Sequence, residues 1–376
     1  MPQPPLSPPD WPEKPATPAE RQRSVAMFLL TLVCVYAVFG YQWEGGDPFR
    51  EPAVALASLK FAVTLMAILL AHEMGHYIVA RRHGFRLSLP YFLPFPFAFG
   101  TLGAVIRLES LPRSRTALLE MGAAGPLAGF VLAIAAMFVG LPGTEDPGAI
   151  EIPTAMVEGL LAAEPPDPSW WEPILGVLLF PLVLLERAMV WTGAVPAADP
   201  EAMIVQILAN PPLMDIVGVM LNGEAPGRYA SLDPVAFAGW VGCLLTAINL
   251  IPIGQLDGGH ILNALLPQHA RNLSKVGVGL LLLAGLVYWP GWGVWGILLL
   301  VMRAWVSLEV PLESGLTTRA KVIAVLTLGA FALSFMPKPI EIESMKYRDI
   351  RWIDDEGNPT EAPAALFSGE EGGAER

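Results

Sequence analysis

Two histidines and a glutamate stand at metal-binding spacing inside a long apolar stretch of the chain. The pattern His-Glu-x-x-His occupies residues 72–76. Residues four apart on a helix lie on the same face about one turn apart, so His72 and His76 could bind one Zn²⁺. Glu73 would then lie within reach of a water molecule on the metal, where it could act as general base. Such a site needs at least a third protein ligand and one position open for water.

The composition is that of a polytopic membrane protein. Of the 376 residues, 53% are hydrophobic and only 15% are charged, and the mean hydropathy is +0.50. The net charge of -12 argues against a nucleic-acid partner. Cys34 and Cys243 both lie in apolar runs, which predicts buried thiols and excludes a disulfide framework or a cysteine-type zinc site.

Apolar runs predict an all-α membrane protein with about six to seven transmembrane helices. The predicted spans are residues 25–39, 52–80, 116–140, 234–252, 276–289, 292–308 and 322–336. Arg21 and Arg23 precede the first span, and Arg81 and Arg82 follow the second. The positive-inside rule therefore places the N-terminus and the histidine pattern on the cytoplasmic side.

The distribution of prolines, charges and apolar runs divides the chain into five parts. We expect a disordered Pro-rich cytoplasmic tail (1–23), a first membrane part with the histidine pattern (24–140), an acidic extracytoplasmic loop (141–232), a second membrane part (233–337) and an acidic polar C-terminal tail (338–376). Within the acidic loop, residues 173–185 are apolar but too few for a span, so we expect an interfacial or re-entrant segment.

The segment 86–107 is apolar and aromatic, yet it cannot form a membrane helix. It is interrupted by helix-breaking residues, namely Pro90, Pro94, Pro96, Gly100 and Gly103. Residues 102–107 have the character of a short strand, and we interpret the segment as a re-entrant β element near the zinc site. Its free edge could pair with an extended peptide. A cytoplasmic loop lying on the membrane surface is the alternative.

The third metal ligand is expected at the cytoplasmic end of the fourth span. Topology places Asp257 there, at the same membrane depth as His72 and His76. A carboxylate completes the two-histidine, one-acid set that hydrolytic zinc uses. His260 is the alternative ligand, or it orients Asp257 through a hydrogen bond. Asn249 is expected either to hydrogen-bond the substrate backbone or the developing oxyanion, or to pack between helices.

Other polar and small residues within the spans have structural interpretations. Lys60 is expected to snorkel or to pair with an acid, and Glu120 to lie at the membrane interface. His83 follows the second span and is interpreted as a loop residue. The small residues at 122–129 in the third span predict close helix packing.

Two motifs together resemble the site-2 protease family of intramembrane zinc metalloproteases, peptidase family M50. The first is His72-Glu73-x-x-His76, and the second is Asn249-x-x-Pro252-x-x-x-x-Asp257-Gly258. Residues 101–107 and 125–129 also resemble that family, and the similarity covers roughly residues 25–340 apart from the acidic loop.

The resemblance implies a site and a substrate. It implies that His72, His76 and Asp257 bind one Zn²⁺ and that Glu73 activates water. It also implies that the element around residues 97–107 presents the substrate strand, so Gly103 is expected to bind substrate together with Asn249.

The expected activity is hydrolysis of peptide bonds within or near transmembrane segments, as in regulated intramembrane proteolysis. The expected partners are the lipid bilayer and single-span membrane proteins, and the expected location is the plasma membrane of a bacterium, with the active-site side cytoplasmic. A membrane protein that binds or transports metal without hydrolysis is the alternative, because acids and histidines inside spans also line ion pathways. Replacing Glu73 by Gln separates the two, because only a protease loses proteolysis.

Overall fold

The structure is a computed structural model that describes residues 17–107, 114–154, 202–303, 315–354 and 358–363. It is mostly helical, with a few small sheets. The helices are α1 (Pro18–Val38), α2 (Pro52–Arg82), α3 (Arg115–Gly140), α4 (Pro212–Asn222), α5 (Pro234–Asn249), α6 (Asp257–Leu265), α7 (Ala270–Val287), α8 (Pro290–Val301) and α9 (Thr318–Ser334). The strands are β1 (Tyr91–Pro94), β2 (Thr101–Val105), β3 (Glu151–Pro153), β4 (Ala202–Leu208), β5 (Ile340–Lys346), β6 (Arg351–Ile353) and β7 (Pro359–Thr360). The apolar run at 173–185 and most of the Pro-rich tail lie outside the described residues.

Four helical segments are long and apolar enough to cross a membrane. They are α1 with a π-helical extension (Pro18–Trp43), α2, α3 with a 3-10 extension (Arg115–Gly143) and α7, while α4, α5 and α8 are shorter apolar helices. Many outward-facing side chains on these and neighbouring helices are apolar, including Leu29, Val63, Leu280 and Val325. Apolar surface of this extent belongs in lipid, so the chain is a membrane protein. The expected number of six to seven spans is not confirmed by these four.

The centre of the helix bundle is formed by α2, α3 and α5. Leu65, Ala123 and Trp240, one from each helix, are fully buried. A Cβ atom on Gly75 of α2 would overlap the carbonyl group of Ala124 in α3, so the two backbones are nearly in contact. The predicted role of small residues in close packing is thereby confirmed.

A β-hairpin runs along α1. Strands β1 and β2 pair antiparallel, with Tyr91 opposite Val105 and a bulge after Phe92. Ser24 donates a hydrogen bond to the Pro90 carbonyl at 2.6 Å, and at the other end Trp43 Nε1 donates to the Ala98 carbonyl at 2.9 Å. Nineteen residues of helix separate these two anchors, which is about 28 Å at 1.5 Å per residue.

The hairpin therefore runs along most of the length of α1. Thr101–Val105 confirms the strand expected near 102–107, and β1 is an additional strand that the sequence analysis did not predict. The tip is held by aromatic packing, because Phe99 stacks on Trp43 with ring centroids 5.5 Å apart and also contacts Phe237 of α5.

At the outer end of the bundle, defined as the end where α1 finishes and α2 begins, the C-terminal region folds onto the acidic loop. Strand β5 pairs antiparallel with β4, from Ala202 opposite Lys346 to Leu208 opposite Ile340. Strand β6 pairs with β3 and with β7. Trp289 Nε1 donates to the Ile340 carbonyl at 2.8 Å, which ties the turn between α7 and α8 to the same region. The sequence analysis predicted no strands in either segment.

The short apolar helix α4 lies in the same region and was also not predicted. Leu213 and Val217 are buried against the bundle, whereas Ile216 and Met220 are exposed. Its start is fixed by the buried Trp240, whose Nε1 donates to the Ala209 carbonyl at 2.7 Å. The chain just before α4 is thus bonded to the second turn of α5.

Candidate metal centre

Helix α2 presents two imidazoles to one point. His72 and His76 are one turn apart in the C-terminal half of the helix, whose last turn contains Arg81 and Arg82. We call this C-terminal end of α2 its inner end. Their Nε2 atoms are 3.1 Å apart and their rings are nearly perpendicular. His72 is buried and His76 is half-buried, so both donor atoms are turned into the protein and away from lipid.

Asp257 reaches the same point from the first turn of α6. Its Oδ2 atom is 3.2 Å from His72 Nε2, and its Oδ1 atom is 3.3 Å from His76 Nε2. The turn that precedes α6 folds tightly back, because a Cβ atom on Gly258 would overlap the Leu250 carbonyl. Only glycine allows this approach, and it brings the carboxylate against the two imidazoles.

The spacing of these donor atoms fits a tetrahedral metal ion. Zinc binds imidazole nitrogen and carboxylate oxygen at about 2.0–2.2 Å, which separates neighbouring tetrahedral ligands by roughly 3.3–3.5 Å. The three observed separations, 3.1, 3.2 and 3.3 Å, come close to that edge length. His72, His76 and Asp257 are thus a group that could hold a metal ion, and their chemistry is of the hydrolytic zinc type.

His76 is held in the tautomer that a metal ligand needs. Its Nδ1 atom lies 2.8 Å from the carbonyl oxygen of Met121 on α3. A carbonyl can only accept, so Nδ1 carries the proton, and Nε2 is the nitrogen whose lone pair could bind a metal ion lying between it and Asp257. This backbone contact is the kind of outer hydrogen bond that orients metal-binding histidines.

Glycines of α3 form the surface on which the site lies. A Cβ atom on Gly125 would overlap the His76 ring, and one on Gly129 would lie 3.3 Å from His72 Cβ. A Cβ atom on Gly122 would lie 3.0 Å from His260 Cβ and 3.2 Å from the Asp257 carbonyl oxygen. The small residues that the sequence analysis assigned to helix packing therefore also make room for the imidazoles. Their spacing of three and four residues in the third span was the available signal.

Glu73 is buried beside the donor cluster without being part of it. Its side chain is 7% exposed, and its carboxylate interacts electrostatically with His72, His76 and Asp257. A carboxylate near the donor atoms, but free of the predicted metal, is able to accept a proton from water.

The remaining expected site residues lie outside this cluster. Asn249 is half-buried at the last position of α5. Gly103 lies in the hairpin with φ +89°, and its N–H donates to Thr101 Oγ1 at 3.0 Å. His260 follows Asp257 by one turn of α6, and its buried Nδ1 atom has no hydrogen-bond partner among the residues that the structure describes. Neither it nor Asn249 contributes a donor to the three-residue cluster.

Two residues given structural interpretations have defined partners. Lys60 pairs with Asp233 at 3.4 Å, which agrees with the expected pairing to an acid. His83 is bonded to Glu120 at 3.0 Å, so it is more than a loop residue, and Glu120 is buried.

Known proteins are similar to this chain over the same region. The profile of peptidase family M50 matches residues 60–287. The probable zinc metalloprotease EGY1 of Arabidopsis thaliana is 28% identical over 255 residues, which are 66% of this chain and 37% of that protein. The probable zinc metalloprotease EGY2 of Oryza sativa subsp. indica is 30% identical over 223 residues, 58% of this chain and 32% of that protein. The chain thus spans about a third of the length of these relatives.

These relatives are chloroplastic by name, so they give no support to the expected bacterial plasma membrane. No solved structure matches the chain significantly. A family of peptidases does not favour the alternative of metal transport without hydrolysis. The family match covers more than half of the chain, including every residue of the donor cluster. The chain belongs to peptidase family M50, the site-2 protease family.

Proposed function

We propose that the protein is an intramembrane zinc metalloprotease that hydrolyses peptide bonds within or near transmembrane segments of other membrane proteins. The observation that carries the proposal is the triangle of donor atoms from His72, His76 and Asp257, with the buried Glu73 beside it. Two histidines, one acid and an adjacent free carboxylate are the set that hydrolytic zinc enzymes use.

We assign the three donors to one Zn²⁺. When bound, the ion supplies Lewis acidity, which lowers the pKa of water and polarises a carbonyl oxygen. His76 is suited to this role because the Met121 carbonyl accepts the proton on Nδ1, which leaves Nε2 as the nitrogen that can bind the ion. Asp257 is suited to it because each of its two oxygens faces one imidazole.

Glu73 is assigned as general base and then general acid. It accepts a proton from the attacking water and returns that proton to the nitrogen of the leaving amine. Its place supports this assignment, since the buried Glu73 carboxylate lies beside the donor cluster and is not one of its three members.

We infer that the substrate enters as an extended strand along the β-hairpin. A peptide bond in a helix is shielded by its own hydrogen bonds, so the substrate helix must unwind before cleavage. Leu102 and Val105 of β2 are exposed, and the second edge of β2 has no strand partner among the residues that the structure describes. Pairing with this edge would replace the hydrogen bonds that the substrate loses.

Gly103 in β2 and Asn249 at the end of α5 are both assigned to substrate binding. The N–H of Gly103 is already used by Thr101 Oγ1, so pairing at this position would use the neighbouring backbone groups of β2. Asn249 ends the helix that leads to Asp257 and could donate its amide to the substrate backbone or the developing oxyanion.

We further propose that the chain crosses the membrane six or seven times, with its N-terminus and active-site side cytoplasmic. The shorter apolar helices α5 and α8, together with α9, supply the additional spans. The Arg81 and Arg82 pair at the inner end of α2 supports this orientation. In this arrangement the two membrane parts, 24–140 and 233–337, are separated by an extracytoplasmic loop at 141–232.

Cleavage of tagged single-span membrane proteins tests the activity. Wild type, Glu73→Gln and the control Glu51→Gln are reconstituted with a panel of such substrates. Glu51 lies at the outer start of the same helix, so its substitution controls for changing a glutamate on α2. We expect fragments with wild type and with Glu51→Gln but none with Glu73→Gln. Equal cleavage by Glu73→Gln would overturn the proposal.

A further inference from the structure

A buried carboxylate joins three helix ends next to the metal centre. Glu120, in the second turn of α3, is only 6% exposed. His83, which caps the C-terminus of α2, donates from Nε2 to Glu120 Oε2 at 3.0 Å. Arg319, at the start of α9, approaches Glu120 Oε1 with its Nε atom at 3.6 Å. Glu120 thus fixes α3 against the ends of α2 and α9.

The next residue along α3 forms a hydrogen bond to a histidine of the metal centre. The Met121 carbonyl accepts the Nδ1–H bond from His76 at 2.8 Å, which sets the tautomer and the direction of the ring. This carbonyl belongs to the backbone, so its position depends on where α3 is held relative to α2. The side chain that holds α3 to the end of α2 at this level is Glu120.

We propose that Glu120 is a positioning residue for the metal centre. Through His83 it keeps the Met121 carbonyl within hydrogen-bond distance of His76 and so keeps His76 Nε2 directed at Asp257. Glu120 contacts neither the donor atoms nor a substrate, and it acts by locking the register of α3 against α2. The inference rests on the proposed function in one respect, because it requires that the three donors bind a metal ion.

The geometry of the pair explains why the effect is on affinity rather than on folding. Gly75 of α2 lies against the Ala124 carbonyl of α3, and Gly129 of α3 lies against His72, so the two helices stay together without Glu120. Only the last turns, where Glu120 bonds to His83, lose a constraint. The His76 ring then gains freedom to rotate away from the Met121 carbonyl.

Zinc affinity of the full chain in detergent measures this role directly. Wild type, Glu120→Ala and Glu120→Gln are titrated with Zn²⁺ in competition with a chromophoric chelator, and the Co²⁺ absorption spectrum reports ligand geometry. We expect Glu120→Ala to lose about 10-fold in zinc affinity, the lower end of the loss found for direct hydrogen-bond partners of metal ligands, because Glu120 acts one step further from the site. Glu120→Gln keeps an oxygen that accepts from His83, so we expect it to recover most of the affinity.

Lys60→Met is the matched control. It removes an ion pair between α2 and another helix, Lys60 with Asp233 at 3.4 Å, at the outer end of α2. We expect its zinc affinity and Co²⁺ spectrum to equal those of wild type. If Glu120→Ala does not fold, His83→Ala replaces it, because it removes the bond to α2 from the other side.

The outcomes separate this inference from the proposed function. A wild type that binds no zinc overturns both. A wild type that binds zinc, together with a Glu120→Ala variant of equal affinity and spectrum, overturns only the positioning role. Equal losses in Glu120→Ala and Lys60→Met also overturn it, because they would report a general loosening of α2.

Discussion

Replacing Gly125 by alanine should abolish metal binding while leaving the helix intact. Helix propensity alone predicts a gain, because alanine stabilises a helix interior by about 1 kcal/mol relative to glycine. The structure predicts the opposite for the site. The new Cβ would lie 2.5 Å from His76 Cε1 and closer still to the other atoms of that edge of the ring.

The size of the displacement follows from contact distances. Carbon atoms approach to about 3.5 Å at best, so the His76 ring must move by at least about 1 Å. Zinc–ligand distances tolerate only about 0.2 Å. The ligand itself is displaced here, and loss of an outer hydrogen-bond partner alone weakens binding by about 10–100-fold, so we expect a loss of more than about 100-fold in zinc affinity.

Competition titration with Zn²⁺ and thermal unfolding of the metal-free protein measure the two effects separately. Gly329→Ala is the matched control, since it lies in α9 and a Cβ atom there meets nothing within 4 Å. We expect Gly329→Ala to bind zinc as wild type does and to be slightly more stable. Unchanged zinc affinity in Gly125→Ala would refute the view that α3 forms the surface under His76.

Three other substitutions and one treatment have defined outcomes. Asp257→Ala removes one of three donors, so metal analysis of the purified variant should find far less than one zinc per chain; one zinc per chain would exclude Asp257 as a ligand. Gly100→Ala should lower stability in thermal unfolding by about 1–3 kcal/mol, because its Cβ overlaps the Val35 backbone at φ +82°. Gly103→Ala should lower it less, since only backbone strain of about 1 kcal/mol opposes it; the reverse order would refute the docking of the hairpin on α1. Zinc at 100 times its Kd should stabilise wild type by about 2.7 kcal/mol over the chelated protein, and an absence of any shift would contradict a folded metal site.

The proximity of the three donor side chains was predictable from two signals, one local and one topological. His72 and His76 are four residues apart, and on a helix this spacing brings their side chains close together. Asp257 is 181 residues further along the chain than His76, yet its place at the end of an apolar run fixes its membrane depth. The shared membrane depth and the metal-binding chemistry of these side chains together predicted the cluster that the structure contains.

The surroundings of the site could not be predicted in the same way. The bond between His76 and the Met121 carbonyl depends on the rotation of α3 about its own axis. Hydropathy predicts that α3 is a transmembrane helix, but it does not predict which face of α3 packs against α2. The bond between His83 and Glu120 joins residues on two different helices, and neither residue belongs to a motif.

The sheets at the outer end illustrate a different limit. Strand β5 has partly alternating apolar and acidic residues, beginning Ile340-Glu341-Ile342-Glu343, which is a strand pattern. The acidic, polar composition of the tail favours a disordered segment instead of a strand. Its partner β4 lies more than 130 residues earlier in the chain, and no local sequence pattern indicates that two segments so far apart will pair.

The central claim is that Glu73 and the three-donor site cut a substrate within the membrane. The most direct measurement is the mass of the fragments released from a tagged single-span protein co-reconstituted in lipid nanodiscs. We expect wild type to release a fragment whose new end falls inside the apolar span, and we expect Glu73→Gln to release none while still binding one zinc per chain. Identical fragments from wild type and Glu73→Gln, or ends that lie only in the soluble regions of the substrate, would contradict the account.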